Sequence, residues 1–260
     1  MTIASSSRRI SKGGILRSCV ALLGLLLFSA ATNPVYAVGG TFFDGLDSFD
    51  TVRWQKADNW TNGDPFNVGW RADHITFSSG FMSLRLDTTP CSAGCSGKPY
   101  ASGEYRTSDV YGYGKYETRF KAAKGSGLVT SFFTYTGTFG TSTHHEIDIE
   151  ILGKDTTKMQ TNYFVAGVGN HEHIVDLGFD SSAGYHNYAF VWTANKIEWI
   201  VDDVVVHTEY AGAGKPMPSQ PGKIMANMWA GINVDSWLGP FSYPGTPIYA
   251  KYDWIQYFVL

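Results

Sequence analysis

Polar and apolar positions alternate along short stretches of this chain, and no window of roughly 11 to 18 residues carries a helical period. Lys115–Lys121, Leu128–Tyr135, Glu146–Leu152, Lys158–Val165, His186–Thr193, Ile197–Val201, Val204–Glu209, Lys223–Trp229 and Tyr252–Val259 each read as a strand. Gly, Asn, Asp and Pro clusters separate them, such as Asp202-Asp203 and Tyr243-Pro-Gly-Thr-Pro247. Many short strands at this spacing predict an all-β sandwich or barrel. No repeat, charge block or linker interrupts residues 38–260, which therefore read as one domain.

The N-terminus follows a different pattern. Arg8, Arg9, Lys12 and Arg17 are the only charges in residues 1–37, and they precede an apolar run from Cys19 to Ala31 and the small-residue end Val35-Tyr36-Ala37. That run falls short of the roughly 20 residues a bilayer helix needs. Residues 1–37 thus read as a cleaved secretory signal, leaving an extracellular or periplasmic product with no membrane attachment, expected to be a monomer.

Composition agrees: 29 Gly, 15% aromatic and only 17% charged residues in a 260-residue chain suit a β-rich domain. Without the leader, 16 Lys and Arg face 23 Asp and Glu, a formal charge of −7. A nucleic-acid partner would want a basic excess instead. Cys91 and Cys95 sit in a turn-rich loop, where an oxidising compartment favours a local disulfide.

The chemistry concentrates in His144-His-Glu-Ile-Asp-Ile-Glu-Ile-Leu-Gly153. Side chains alternate faces along a strand, so Glu146, Asp148 and Glu150 share one face and Ile147, Ile149 and Ile151 the other. The isoleucines read as core. Three carboxylates in a row without a local cation gain nothing as structure. A solvated edge strand or a calcium site made of the three acids are bland alternatives. The functional reading is paired-carboxylate glycoside chemistry, in which one carboxylate attacks an anomeric carbon and another, held protonated, protonates the leaving oxygen. Residues i and i+4 lie roughly 13 Å apart along a strand, whereas retaining enzymes want carboxyl groups about 5 to 5.5 Å apart. The two glutamates must therefore lean together.

This strand resembles the active-site strand of glycoside hydrolase family 16, and among its members the bacterial lichenases, the endo-β-1,3-1,4-glucanases. The resemblance runs from about Thr41 to Val259. It includes Trp54-Gln-Lys-Ala-Asp58, Phe66-Asn67 with Trp70-Arg-Ala72, Tyr111-Gly-Tyr-Gly-Lys-Tyr-Glu117, Ser131-Phe-Phe-Thr-Tyr-Thr-Gly137, Leu152-Gly-Lys-Asp-Thr-Thr-Lys158, Gly167-Val-Gly-Asn-His-Glu172, Pro221-Gly-Lys-Ile-Met225 and Trp237-Leu-Gly239. It implies a curved β-jelly-roll sandwich of two antiparallel sheets with a glucan cleft on the concave face. It also implies a retaining double displacement with Glu146 as nucleophile, Asp148 as its helper and Glu150 as general acid/base, without a catalytic cofactor. Trp60, Asn62, Glu104, Arg106, Phe133, Tyr135, His144, Asn162, Asn227, Trp229 and Trp237 match cleft positions. Aromatic rings there suit glucosyl faces and polar groups suit hydroxyls. A structural calcium ion is implied at Asp253 with the backbone of Gly45 and Gly80.

The chain departs from lichenases in places. His144-His145 stands where they carry Trp-Asp, so an imidazole offers a hydrogen bond in place of an aromatic surface, and His145 is a candidate orienter of the nucleophile. Phe164 replaces a cleft tyrosine, Ala230 an asparagine, and Val68 and Ser102 occupy the positions of the Bacillus disulfide. The substrate expected is β-1,3-1,4-glucan or a bacterial exopolysaccharide of the succinoglycan type. A xyloglucan-type transglycosylase and a non-catalytic carbohydrate-binding protein are the alternatives. His171 and His173 lack a third ligand in the sequence and read as structural rather than metal-binding.

Overall fold

The short-period alternation folds into strands throughout. A computed structural model describes residues 38–260; the expected secretory signal over 1–37 lies outside the described residues. In chain order the strands are β1 (Phe42–Asp44), β2 (Trp54–Lys56), β3 (Val68–Trp70), β4 (Ile75–Ser78), β5 (Phe81–Leu86), β6 (Tyr100–Ser102), β7 (Glu104–Thr107), β8 (Gly114–Lys121), β9 (Leu128–Thr136), β10 (His145–Leu152), β11 (Lys158–Phe164), β12 (His173–Asp176), β13 (His186–Trp192), β14 (Lys196–Val201), β15 (Val204–Tyr210), β16 (Lys223–Ala230) and β17 (Ile248–Val259). A single helical turn, α1 (Asp235–Leu238), precedes β17.

All nine expected strands form. The N-terminal third holds strands the alternation did not announce, because β1, β2, β3 and β6 have three residues each, too few to show a period. β5 is the exception: Met82, Leu84 and Leu86 are buried between Phe81, Ser83 and Arg85, a clear alternation absent from the expected set.

Two antiparallel sheets pack face to face. One runs β15-β14-β13-β8-β17-β5-β4 with β1 added to β17, the other β12-β11-β10-β9-β16-β7-β2. Ile147, Ile149 and Ile151 of β10 are fully buried, with Phe132, Ala226 and Met228 of the same sheet and Tyr116, Phe120, Tyr188, Phe190 and Trp199 of the other. Hydrogen bonds from one sheet to the other help position them: Trp199 Nε1 donates to the Asp148 carbonyl (3.0 Å), and Tyr252 Oη to the Ser131 carbonyl (2.8 Å). Buried indole and phenol groups need such partners, and here the partners are main-chain atoms of β10, which carries the acids, and of its neighbour β9.

β3 and β6 form a small parallel pair, Val68 against Tyr100 and Trp70 against Ser102. The Cys91–Cys95 disulfide is formed and closes over Gly69, where an added Cβ would lie 2.4 Å from Cys91 Sγ and Cys95 Cβ. Neither sulfur can swing aside, so Gly69→Ala is expected to destabilise the fold by about 1–3 kcal/mol through overpacking. Urea unfolding measures this, and an unchanged midpoint contradicts the close packing.

Candidate active site

β10 keeps regular register with both neighbours from Glu146 to Glu150, so the three carboxylates share the face opposite the isoleucine core. Cross-strand pairing builds rows on that face. Glu146 lies between Phe164 of β11 and Tyr135 of β9; Asp148 between Asn162 and Phe133; Glu150 between Gln160 and Ser131. The rows continue onto β16 as Lys223, Met225 and Asn227, and onto β7 as Arg106 opposite Met225 and Glu104 opposite Asn227. Residues remote in sequence thus reach one cleft floor because their strands pair in one register.

Burial first, and mutual repulsion second, favour the protonated forms of several of these acids. Burial raises Asp148 well above the carboxylate range, and the charges of Glu146 and Glu150 and a hydrogen bond with Glu146 add to it. Glu150 is pushed up to about 8, first by loss of hydration and then by the Glu146 charge, against a lowering hydrogen bond from Gln160. Glu104 rises to about 7, by burial first and with a contribution from Glu146. The Glu146 charge also helps raise Tyr135, after burial. Asp148, Glu150 and Glu104 are thus all displaced toward their protonated forms, which suits an acid that must donate a proton.

Hydrogen bonds orient the set. His144 Nε2 lies 2.6 Å from Glu146 Oε2. Gln160 Nε2 donates to Glu150 Oε2 (2.8 Å), while its Oε1 accepts from Trp237 Nε1 (2.9 Å), which fixes the amide so that its donor faces the acid. The amide favours the charged form of Glu150. Gln160→Leu is expected to move the alkaline limb of the kcat/KM profile to higher pH; a profile with that limb unmoved or lowered disproves the link.

Residues 62–256 match the sequence profile of Glycosyl hydrolases family 16. The chain belongs to this family. Among its relatives, a Bacillus amyloliquefaciens protein named Beta-glucanase is 51% identical over 229 residues, covering 87% of this chain and 91% of the relative. One of the same name from Bacillus subtilis is 48% identical, covering 90% and 93%. The Bacillus licheniformis beta-glucanase structure superposes with a TM-score of 0.78 at 47% identity, covering 86% of this chain and all of that one. A laminarinase from Flavobacterium sp. UMI-01, at 21% identity and a TM-score of 0.70, covers 85% of this chain and all of that one and shares the fold.

Against this family 16 background, the other expected cleft residues differ in how much surface they present. Arg106 stacks over Trp60, 5.4 Å from the ring centroid, and lies 3.7 Å from Glu104. Asn227 accepts from Ser131 Oγ (2.6 Å) and donates to Glu104 (3.4 Å). Asn162 accepts from the main-chain N–H groups of Tyr163 and His171 and donates to Glu172 (3.4 Å). Asn62 accepts from Trp70 Nε1. Trp60, Tyr135 and Trp237 keep accessible surface, while Phe133 is 8% exposed. Trp229 is only 4% exposed, wedged against Phe66 (4.3 Å) and Trp237 (5.8 Å). It braces its neighbours rather than offering a ring face. His144 is fully buried and meets Glu146 instead of the open cleft. His145, the expected orienter, points to the other face, where its Nδ1 accepts from Ser219 N (3.4 Å).

Gln160, Ser131, Met225 and Glu172 were missed. The first three sit two positions from Asn162, Phe133 and Asn227, so strand parity alone places them on the same face. Glu172 lies on a loop and has no such signal.

Among the described residues no three His, Cys, Asp or Glu gather in a metal-binding cluster. His171 stacks on Tyr163 (3.8 Å) and His173 on His207 (4.0 Å), both structural contacts. Asp253 lies at a register shift in β17 and pairs with Arg119. Asp47 fills the space beside both implied calcium-site glycines: an added Cβ would stand 3.3 Å from its Oδ2 at Gly45 and 3.6 Å from its Oδ1 at Gly80. Carbonyl and carboxylate oxygens are the donors a hard cation takes.

Proposed function

We propose that this chain is a secreted, retaining endo-β-1,3-1,4-glucanase acting by double displacement. Glu146 attacks the anomeric carbon while Glu150 gives its proton to the leaving oxygen. Glu150 then takes a proton from the water that resolves the glycosyl-enzyme. Asp148, protonated, donates to Glu146 and limits the freedom of its carboxylate. Trp60, Tyr135, Arg106 and Glu104 bind the glucan, as stacking faces and hydroxyl partners. No cofactor takes part in the chemistry. A calcium ion on Asp253 and the carbonyls of Gly45 and Gly80 would serve stability alone.

The observation that carries this reading is the row of three carboxylates on one face of β10, where burial and the neighbouring acids push Asp148 and Glu150 toward their protonated forms. A lectin has no use for such a set. The names of relatives at 45–51% identity, and of a structure described as a beta-1,3-1,4-glucanase (lichenase), favour mixed-linkage glucan over exopolysaccharide. The test is a panel of lichenan, laminarin, xyloglucan and succinoglycan assayed for reducing ends and viscosity. Lichenan should be cleaved fastest, with an early fall in viscosity. Preference for succinoglycan would move the substrate to an exopolysaccharide, product chains longer than the starting oligosaccharide would indicate transglycosylation, and no cleavage of any would remove the enzyme reading.

A further inference from the structure

The His144 ring meets Glu146, and its contacts fix one tautomer and one direction. Its ring is fully buried between Tyr135 (5.0 Å), Phe139 (5.2 Å) and Phe164 (4.8 Å). The Gly140 main-chain N–H points at Nδ1 (3.4 Å). A ring nitrogen that accepts carries no proton, so the neutral imidazole bears its proton on Nε2. That N–H faces Glu146 Oε2 at 2.6 Å, a short hydrogen bond to a carboxyl oxygen.

The backbone holds this arrangement. His144 N donates to the Thr141 carbonyl, and its own carbonyl accepts from Gly167 N, each at 3.0 Å. Gly137 and Gly167 both have φ of +82°, and a Cβ would lie 2.1 Å from the Thr143 carbonyl oxygen at the first and 2.6 Å from the Gly140 carbonyl carbon at the second. The loop carrying Gly140 is thus packed by two glycines that admit no side chain, and the imidazole cannot rotate without losing its Gly140 donor.

We propose that His144 is a positioning residue for Glu146, acting mainly on the second half of the reaction; this rests on Glu146 being the nucleophile. In the glycosyl-enzyme the Glu146 carboxyl is a neutral ester and accepts only weakly from Nε2. During its resolution a water oxygen bonds to the anomeric carbon and Glu150 takes the water proton. The bond from that carbon to the Glu146 oxygen breaks, and its electron pair stays on the carboxylate. Charge returns to Glu146 as the bond breaks, so the Nε2–H interaction strengthens toward that transition state and lowers the barrier. In the first step charge leaves Glu146, so the same bond gives no help there. His144 transfers no proton at any stage.

The test uses His144→Phe, which keeps a ring among the aromatic walls but has no donor, His144→Asn, whose amide is too short to reach Glu146, and His144→Gln, whose amide nitrogen stands close to the place of Nε2. The substrate is an aryl β-glycoside of a mixed-linkage oligosaccharide, so that aryl release reports the first step. His144→Phe and His144→Asn should lower kcat about 10- to 100-fold, lower KM with it, leave kcat/KM within a few-fold, and show a burst of aryl alcohol equal to the enzyme. His144→Gln should regain most of the lost kcat and lose the burst. Asn keeps the test alive if Phe does not fold. Equal falls of kcat and kcat/KM without a burst, unchanged kinetics, or no recovery in His144→Gln would each overturn the proposal. Failure of the nucleophile assignment shows separately, as retained activity in Glu146→Ala.

Discussion

Replacing Glu146 with alanine is expected to reduce turnover of lichenan by about 10⁵-fold, equivalent to about 7 kcal/mol of transition-state stabilisation. The side chain stands beside acids that burial pushes toward their protonated forms, and no other group on its row, Phe164 or Tyr135, can take its place. The fold should survive, because the Cβ side of β10 that packs the core belongs to Ile147, Ile149 and Ile151. Added azide should restore turnover by entering the space of the lost carboxylate, and the product should be the α-glycosyl azide, with its anomeric configuration opposite to that of the substrate. Activity within tenfold of the parent would falsify the assignment.

The second large effect belongs to Glu150. Glu150→Ala is expected to lower kcat/KM on lichenan about 10³- to 10⁴-fold, since a sugar oxygen leaves poorly without a proton. On an aryl glycoside with an acidic phenol the same variant should lose less than about tenfold in kcat/KM, because that leaving group needs no proton. Azide should accelerate this variant as well, giving the β-glycosyl azide by attack on the glycosyl-enzyme. The opposite anomers from the two variants separate the two roles. The pH profile follows from the same group. Burial and the Glu146 charge raise Glu150 to about 8; above that pH it loses the proton it must donate, so kcat/KM of the parent should fall on the alkaline side with a midpoint near 8. An equal loss on both substrates, or a limb far below pH 7, would count against Glu150 as the acid.

The strand β10 was legible because its information is local. Alternation with a period of two separates Glu146, Asp148 and Glu150 from the isoleucines whatever the rest of the chain does, and an interval of three Ile under three acids admits one reading of which face is core. Longer strands such as β8, β9 and β16 were legible for the same reason. Three-residue strands such as β3 and β6 were not, since their place comes from a partner found elsewhere: Trp70 pairs with Ser102, and the disulfide over Gly69 joins residues from a third segment.

Within the cleft the same limit holds. The family resemblance pointed to Asn162, Phe133 and Asn227, and strand parity could have added Gln160, Ser131 and Met225. They could not say that Trp229 would be sealed between Phe66 and Trp237, because ring exposure is decided by what packs on top. Of the two adjacent histidines, period two puts only one on the acid face. His144 reaches Glu146 from the residue before β10, while His145 turns to Ser219. That choice comes from the glycine-bound loop, which aims Gly140 at the imidazole.

By itself, then, the sequence determined the all-β class and the face on which three carboxylates stand, since each depends on a repeat of two along one strand, while the residues expected to meet a glucan came from the family resemblance. The tertiary structure alone decided how far Asp148 and Glu150 are pushed toward their protonated forms, which histidine meets Glu146 and that Gln160 and Trp237 form a relay to Glu150. Those outcomes depend on desolvation and hydrogen bonding by segments tens of residues away, brought into register by sheet pairing, and no local pattern encodes them.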